Sequence, residues 1–147
     1  MKREPVYTWD AATGTATCTL TDNKNNTFVG KAHCHQEDSD MMSERTGYEI
    51  ASRRAYITYL CHIRDNELKP ALSALLELKS EIVHSTRFNK KSYESKSLYR
   101  KIVQKQEELD VIREEIKREK AFLKIYLSNK DNFYSAIRKK RNSDKND

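Results

Sequence analysis

Two short clusters in the sequence place aromatic and amide side chains between basic ones. The first is residues 87–91 (RFNKK), followed by Tyr93 and Arg100, and the second is residues 132–134 (NFY), followed by Arg138. An aromatic ring can stack on a flat heterocycle, an amide can hydrogen-bond to its edge, and a guanidinium can bind a phosphate bidentately. These residue types therefore indicate binding of an anionic ligand that carries a planar ring.

A structural interpretation of the same clusters stays open. Phe88 can fill the turn between two helices, and Phe133 belongs to the apolar face of the last helix. If those helices are antiparallel, the clusters lie at opposite ends of the pair, so a pocket built from both would form between subunits. The candidate ligand-binding residues, chosen for their chemistry, are Arg87, Phe88, Asn89, Tyr93, Arg100, Arg118 and Arg138.

Side chains that bind zinc also occur, but their spacing is not that of a zinc site. His33, Cys34 and His35 are adjacent, with Cys18, Cys61 and His62 elsewhere in the chain, and no CxxC or HxxxH pair occurs. On a strand, His33 and His35 share one face and Cys34 points to the other. We expect no metal ion and no cofactor, and we interpret Cys18 and Cys34 as small core residues.

Catalytic motifs are equally few. The sequence has no Gly-rich phosphate loop and no nucleophile elbow. The acidic residues Glu37, Asp38 and Asp40 lie beside the histidines and could hold a metal, but an acidic cap just before a helix, where carboxylates are favoured, is the simpler interpretation. We predict that the protein is not an enzyme.

The elements that must position these residues are mainly helical. Apolar residues of the C-terminal third follow an alternating four-three spacing, which defines a narrow apolar seam along one helix. No Pro or Gly interrupts the stretch from Tyr93 to about Lys139, so we expect one helix of about 40 residues, or about 60 Å. A seam this long predicts self-association. Its apolar positions are Leu98, Ile102, Leu109, Ile112, Ile116, Leu123, Tyr126, Phe133 and Ile137, and its polar ones are Lys105, Glu119 and Lys130.

The first 35 residues have a β pattern. A short strand is predicted over residues 6–9, and Thr alternates with apolar residues over 15–22. Residues 22–26 (DNKNN) have the composition of a turn, and residues 27–34 return as the partner strand. A sheet this small is marginal alone, so it must pack on a helix.

The fold class predicted from these elements is α+β, with a small N-terminal antiparallel sheet followed by long, mostly antiparallel helices. Ser43 is a suitable N-cap for a helix reaching about Asn66, and Pro70 either kinks that helix or begins a second one. We expect a connector over residues 84–92. The predicted organisation is a single domain over 1–139, with the sheet and acidic loop in 1–40, the helical part in 41–139 and a disordered tail over 140–147.

Composition narrows the class of protein. The 147 residues are 37% hydrophobic and 34% charged, with a net charge of +6. No apolar run approaches the roughly 20 residues that span a bilayer, and three unclustered cysteines suit a reducing compartment. We expect a cytosolic protein. The positive charge indicates an anionic partner, although alternating Lys and Glu also simply solvate exposed helix faces.

Five sequence blocks, taken in order, resemble one phage protein family. They are residues 27–35 (TFVGKAHCH), 37–38 (ED), 44–55 (ERTGYEIASRRA), 87–94 (RFNKKSYE) and 132–138 (NFYSAIR). Together they resemble the Thoeris anti-defence protein 1 family, and the resemblance covers most of residues 27–138.

The resemblance implies a protein that sequesters an immune signal without degrading it. Bacterial TIR-domain proteins of Thoeris make glycocyclic ADP-ribose on infection, and members of the family bind it in the cytoplasm of the infected bacterial host. Members have an N-terminal antiparallel sheet and long C-terminal helices, and they assemble as dimers and hexamers. Some also bind cyclic trinucleotides at a separate site. The alternatives are a basic coiled-coil protein that binds nucleic acid and a purely structural oligomer.

Overall fold

The computed structural model describes residues 4–33, 44–84 and 93–145, and it describes side chains over 4–33, 44–82 and 96–129. It confirms the α+β class, with a three-stranded antiparallel sheet followed by helices. The elements are β1 (Val6–Asp10), β2 (Thr15–Thr21), β3 (Thr27–His33), α1 (Glu44–His62), a π-helical segment (Ile63–Leu68), α2 (Lys69–His84) and α3 (Tyr93–Lys145).

The sheet has the order β1-β2-β3, and its register follows the predicted alternation of side chains. Opposite Gly30 on β3 lies Cys18 on β2, so the small residues of both strands share the buried face. The turn over residues 22–26 is also confirmed. The Asp22 carboxylate accepts hydrogen bonds from the backbone nitrogens of Lys24, at 2.9 Å, and Asn26, at 2.8 Å. Asn25 takes a left-handed conformation, with φ 64°, that Asn tolerates well.

The chain divides into two compact units, and the predicted single domain over 1–139 stays a prediction. The first unit is Met1–Tyr59 with Arg118–Asp147, and the second is Leu60–Lys117. Both boundaries fall inside helices, α1 and α3, which the sequence pattern alone does not mark.

The core of the first unit lies between the sheet and α1. Ala51 and Ala55 are fully buried one turn apart on α1, and they face the sheet at Gly30. A Cβ added at Gly30 would lie less than 3.0 Å from the backbone oxygen of Ala51 and the backbone nitrogen of Ala55. Glycine is therefore required at this position because the helix backbone approaches the strand so closely.

In the second unit, Pro70 explains how α1 passes into α2. Proline has no N–H to donate to the carbonyl four residues earlier, so a regular α-helix cannot continue through it. The helix instead widens over Ile63–Leu68, and the backbone nitrogen of Lys69 donates to the oxygen of Arg64, five residues back. Where the sequence predicted a kink or a new helix at Pro70, the structure has a π-helical segment that ends just before it.

The apolar seam of α3 faces inward where side chains are described. Leu98, Ile102, Leu109 and Ile116 are buried in the second unit, and Leu123 is buried in the core of the first. Over these positions the seam is covered within one chain. Burial of these positions within the chain does not test self-association, which stays a prediction.

The C-terminal end of α3 lies beyond the predicted one. The helix continues to Lys145, whereas the sequence predicted an end at about Lys139 and a disordered tail over 140–147. No Pro or Gly occurs after Lys139 to stop the helix. The prediction for residues 146–147 lies outside the described residues, as does that for the connector over 85–92.

Candidate ligand-binding cleft

An open cleft of about 400 Å³ lies in the first unit. This volume falls within the range of about 300–1,000 Å³ that is usual for small-molecule sites. The start of the chain and β1 contribute Pro5 and Tyr7, β2 contributes Leu20, α1 contributes three residues and α3 contributes one. Its lining is Pro5, Tyr7, Leu20, Ser52, Arg53, Tyr56 and Glu119.

The α1 residues of the cleft are placed by the packing of that helix. Since Ala51 and Ala55 face the sheet, the next residue after each, Ser52 and Tyr56, lies about 100° around the helix and flanks the contact. These two are four residues apart and therefore lie one above the other on the same helix face. The Ser52 hydroxyl donates to the backbone oxygen of Glu49 at 2.9 Å, a bond inside the helix that fixes its rotamer.

Arg53 is the principal charged group of the cleft, and two contacts hold its guanidinium. Its Nη1 donates to Oε2 of Glu119 at 2.9 Å. Its Cζ lies 3.7 Å from the centroid of the Phe122 ring, in cation–π geometry. The side chains of Arg53 and Glu119 are 31% and 21% exposed, so both remain accessible to a small ligand.

Phe122 stacks on a tyrosine that is in turn hydrogen-bonded to a carboxylate. Its ring stacks on Tyr126, with centroids 5.8 Å apart and an interplanar angle of 17°. The Tyr126 hydroxyl donates to Oε2 of Glu49 at 3.2 Å. Burial raises the pKa of Tyr126, and the Glu49 carboxylate raises it further, while Thr46 and Arg53 oppose the shift. Tyr126 therefore stays a neutral hydrogen-bond donor at physiological pH.

Tyr7 forms the β1 side of the cleft. Its ring lies 5.0 Å from that of Tyr48 at an angle of 45°, and its hydroxyl lies near the Ser52 and Cys18 side chains. Burial and the neighbouring Cys18 raise the pKa of Tyr7, and the nearby Ser52 hydroxyl partly offsets them. The pKa of the Cys18 thiol is also raised, because it is buried. Neither group is an activated nucleophile.

Among the side chains that the structure describes, none of the predicted ligand-binding residues lines this cleft. Arg100 and Arg118 are exposed on α3, the former in the second unit and the latter in the first. Tyr93 and Arg138 lie on α3, but their side chains are outside the described part. The remaining three, Arg87, Phe88 and Asn89, lie outside the described residues. A binding role for these seven stays a prediction.

The candidate zinc ligands are dispersed wherever the structure describes them. His33 is exposed at the end of β3, with Nδ1 2.9 Å from Oγ1 of Thr15. Cys18 is buried in the core as predicted, and His62 contacts Asn66 through Nδ1 at 3.2 Å. Within residues 4–33, 44–82 and 96–129, no three His, Cys, Asp or Glu side chains group as a metal site would require.

The sequence analysis did not single out Tyr7, Arg53 or Tyr56. One signal for the cleft was present, since Glu119 occupies a position of the seam where an apolar residue is expected. Its partner Arg53 is 66 residues away in sequence, and only the folded chain brings the two together.

Over the described residues, no helix is both long and apolar enough to cross a bilayer.

Comparison with known proteins gives no match. The sequence matches no protein-family model, no curated protein and no solved structure.

Proposed function

We propose that the protein sequesters a cyclic ADP-ribose-type immune signal, glycocyclic ADP-ribose, and holds it without cleaving it. On this proposal it is a phage anti-defence protein that blocks Thoeris immunity in the cytoplasm of an infected bacterium. The order of the five sequence blocks that resemble the Thoeris anti-defence protein 1 family carries the proposal. Binding of cyclic trinucleotides, known for some members of that family, is a further part of it.

The cleft in the first unit supports a binding role over a catalytic one. The Glu119 carboxylate is bonded to Arg53, and the Ser52 hydroxyl donates to a backbone oxygen inside its own helix. Hydrolysis of a glycosidic or phosphate bond needs a free general base or an activated nucleophile. In this cleft Glu119 is held in an ion pair and the Ser52 hydroxyl is used inside its own helix, so neither side chain is set up as a nucleophile.

A sequestering protein must compete with the receptor of the signal. A nanomolar Kd corresponds to a binding free energy of about 12 kcal/mol. Guanidinium groups on two phosphates and aromatic stacking on adenine are the usual sources of such affinity. The seven residues proposed from the sequence, Arg87, Phe88, Asn89, Tyr93, Arg100, Arg118 and Arg138, supply both kinds of group.

Self-association is part of the proposal, since the family assembles as dimers and hexamers. Exposed apolar side chains of α3 are the candidates for contacts between copies. Tyr99 and Val111 are 62% and 59% exposed in the second unit, and Ile125 is 63% exposed in the first. Large apolar side chains at this level of exposure are candidates for contacts between copies.

The main alternative is a basic protein that binds nucleic acid. The described charges of α3 favour the first proposal, because they alternate in sign and pair along the helix. Lys105 contacts Glu108 at 3.1 Å, and Arg113 lies 4.0 Å from Asp110. Helices that bind nucleic acid usually present a more uniform basic stripe.

Calorimetric titration with glycocyclic ADP-ribose tests the proposal. We expect saturable, tight binding that Phe88→Ala or Arg138→Ala weakens at least tenfold. Arg113→Ala is the matched control, since Arg113 is 52% exposed on α3 and lies outside the proposed set. Survival of full affinity in both variants, with the oligomer intact, would place the pocket elsewhere. Absence of binding to the cyclic ligand, together with salt-steep binding to duplex DNA, would favour the nucleic-acid alternative.

A further inference from the structure

We infer that the cleft of the first unit is a binding site for an uncharged planar heterocycle whose edge carries a hydrogen-bond donor beside an acceptor. Nucleobases and aromatic carboxamides have this edge. The inference goes beyond the proposed function, because it concerns a site built from Arg53, Glu119 and two tyrosines. None of these belongs to the residues proposed for the cyclic ligand.

The Arg53–Glu119 pair supplies the matching edge. A single hydrogen bond, from Nη1 to Oε2, joins the two groups. Among the described residues, Nη2 of Arg53 and Oε1 of Glu119 have no hydrogen-bond partner. A guanidinium donor and a carboxylate acceptor held side by side are complementary to a ring edge with one acceptor and one donor.

Charge decides between a ring and a phosphate as the recognised group. The positive charge of Arg53 is offset by Glu119 at 2.9 Å, and the other lining residues are Pro5, Tyr7, Leu20, Ser52 and Tyr56, all uncharged. A phosphate would meet the Glu119 carboxylate as well as the guanidinium, and like charges repel. The cleft therefore suits a neutral group.

The remaining lining suits the faces of a ring. Tyr7 and Tyr56 offer aromatic surfaces, and Pro5 and Leu20 offer apolar contact. Stacking of bases on aromatic side chains tolerates different bases, because every base has a π-face. The edge contacts at Arg53 and Glu119 would then supply the selectivity.

Packing and an ion pair hold the Arg53 guanidinium in place without a ligand. Phe122 stacks under the guanidinium of Arg53 at 3.7 Å, and Tyr126 stacks on Phe122. A donor and an acceptor that are already fixed lose little conformational freedom on binding. This distinguishes the pair from an ordinary surface ion pair, whose long side chains are mobile.

Nuclear magnetic resonance titration of the full chain tests the inference, with adenosine, guanosine and nicotinamide as separate probes. We expect at least one probe to shift the signals of Ser52, Arg53 and Glu119 saturably, with a Kd on the order of millimolar or lower. An analogue of that probe whose edge N–H donors are all replaced by N-methyl groups (for guanosine, N1 as well as N2), here called the dimethylated analogue for adenosine and nicotinamide, should bind at least about tenfold more weakly.

Two variants and one control complete the test. Glu119→Gln should weaken binding of the probe at least about fivefold, because the stronger charged acceptor is lost. Ser52→Leu should abolish it by filling the cleft while leaving the ion pair in place. Glu114→Gln, an exposed change on the same helix, should bind as the unchanged chain does.

Several results would overturn the inference. These are no saturable shift with any of the three probes, equal binding of the dimethylated analogue, or binding that survives Ser52→Leu. If Ser52→Leu does not fold by circular dichroism, the analogue and Glu119→Gln decide the matter. Capture of glycocyclic ADP-ribose is measured separately, so failure of this site and failure of the proposed function remain distinguishable.

Discussion

Replacing Gly30 by alanine should strongly destabilise the first unit, although the same change in an open strand would stabilise it. Alanine restricts the unfolded chain, which is worth about 0.4–1 kcal/mol where the native geometry tolerates a Cβ. At Gly30 the added Cβ would instead lie less than 3.0 Å from two backbone atoms of α1 and 3.0 Å from the Cα of Ala55. Ordinary contacts of this kind are 3.4–4 Å.

The magnitude follows from which atoms must move. Backbone atoms cannot rotate away, so α1 has to shift outward from the sheet as a body. Overpacking of a core costs about 1–3 kcal/mol, and a rigid obstacle places Gly30→Ala at about 3 kcal/mol or above. That is a large share of a typical stability of about 5–15 kcal/mol.

Urea denaturation followed by circular dichroism measures the effect. Lys31→Ala is the matched control, because Lys31 is the next residue of β3 and is exposed on the opposite face. Ala55→Gly should not rescue Gly30→Ala, since the close atoms belong to the backbone and not to the Ala55 methyl group. A Gly30→Ala chain as stable as the unchanged one, or rescued by Ala55→Gly, would refute the reasoning.

Three further predictions concern other parts of the chain. Phe122→Ala removes the ring under the guanidinium and should cost about 1–2 kcal/mol in urea denaturation; an unchanged midpoint would contradict the cation–π contact. Leu109→Ala, at a position only 4% exposed, should cost about 2–5 kcal/mol, and Val111→Ala, at 59% exposed, about 0.5 kcal/mol or less; similar losses would show that the seam is misassigned. The pKa of Asp65 is lowered to about 2, mainly by the hydrogen bond from Arg64. Its stabilising contribution should therefore be complete above about pH 3.8 and lost as the pH falls toward 2; a carboxyl titration near 3.8 would contradict this.

Much of the fold was predictable because short-range patterns determine it. The alternation along β2 and β3 indicated which side chains are buried, and Asp22 with Asn25 indicated the turn. The spacing along α3 predicted its inward face, from Leu98 to Leu123. Each of these signals depends on neighbours within a few residues, where periodicity is informative.

The parts that sequence reasoning missed depend on distant residues or on backbone adjustment. A proline predicts a disturbance of the helix, but the number of residues over which the backbone widens before Pro70 depends on packing. The Arg53–Glu119 pair joins residues far apart in sequence, and one of them looked like an exception in an apolar pattern. The seam likewise predicted a partner without indicating that the same chain provides it over Leu98–Leu123.

The most direct test of the proposed function combines calorimetric titration with recovery of the ligand. Purified protein is titrated with glycocyclic ADP-ribose, heated to release what it holds, and the released material is identified by chromatography. The sequestration proposal predicts tight, saturable binding and chemically intact ligand. Recovery of a cleaved ligand would make the protein an enzyme and contradict the proposal, and so would a titration with no binding.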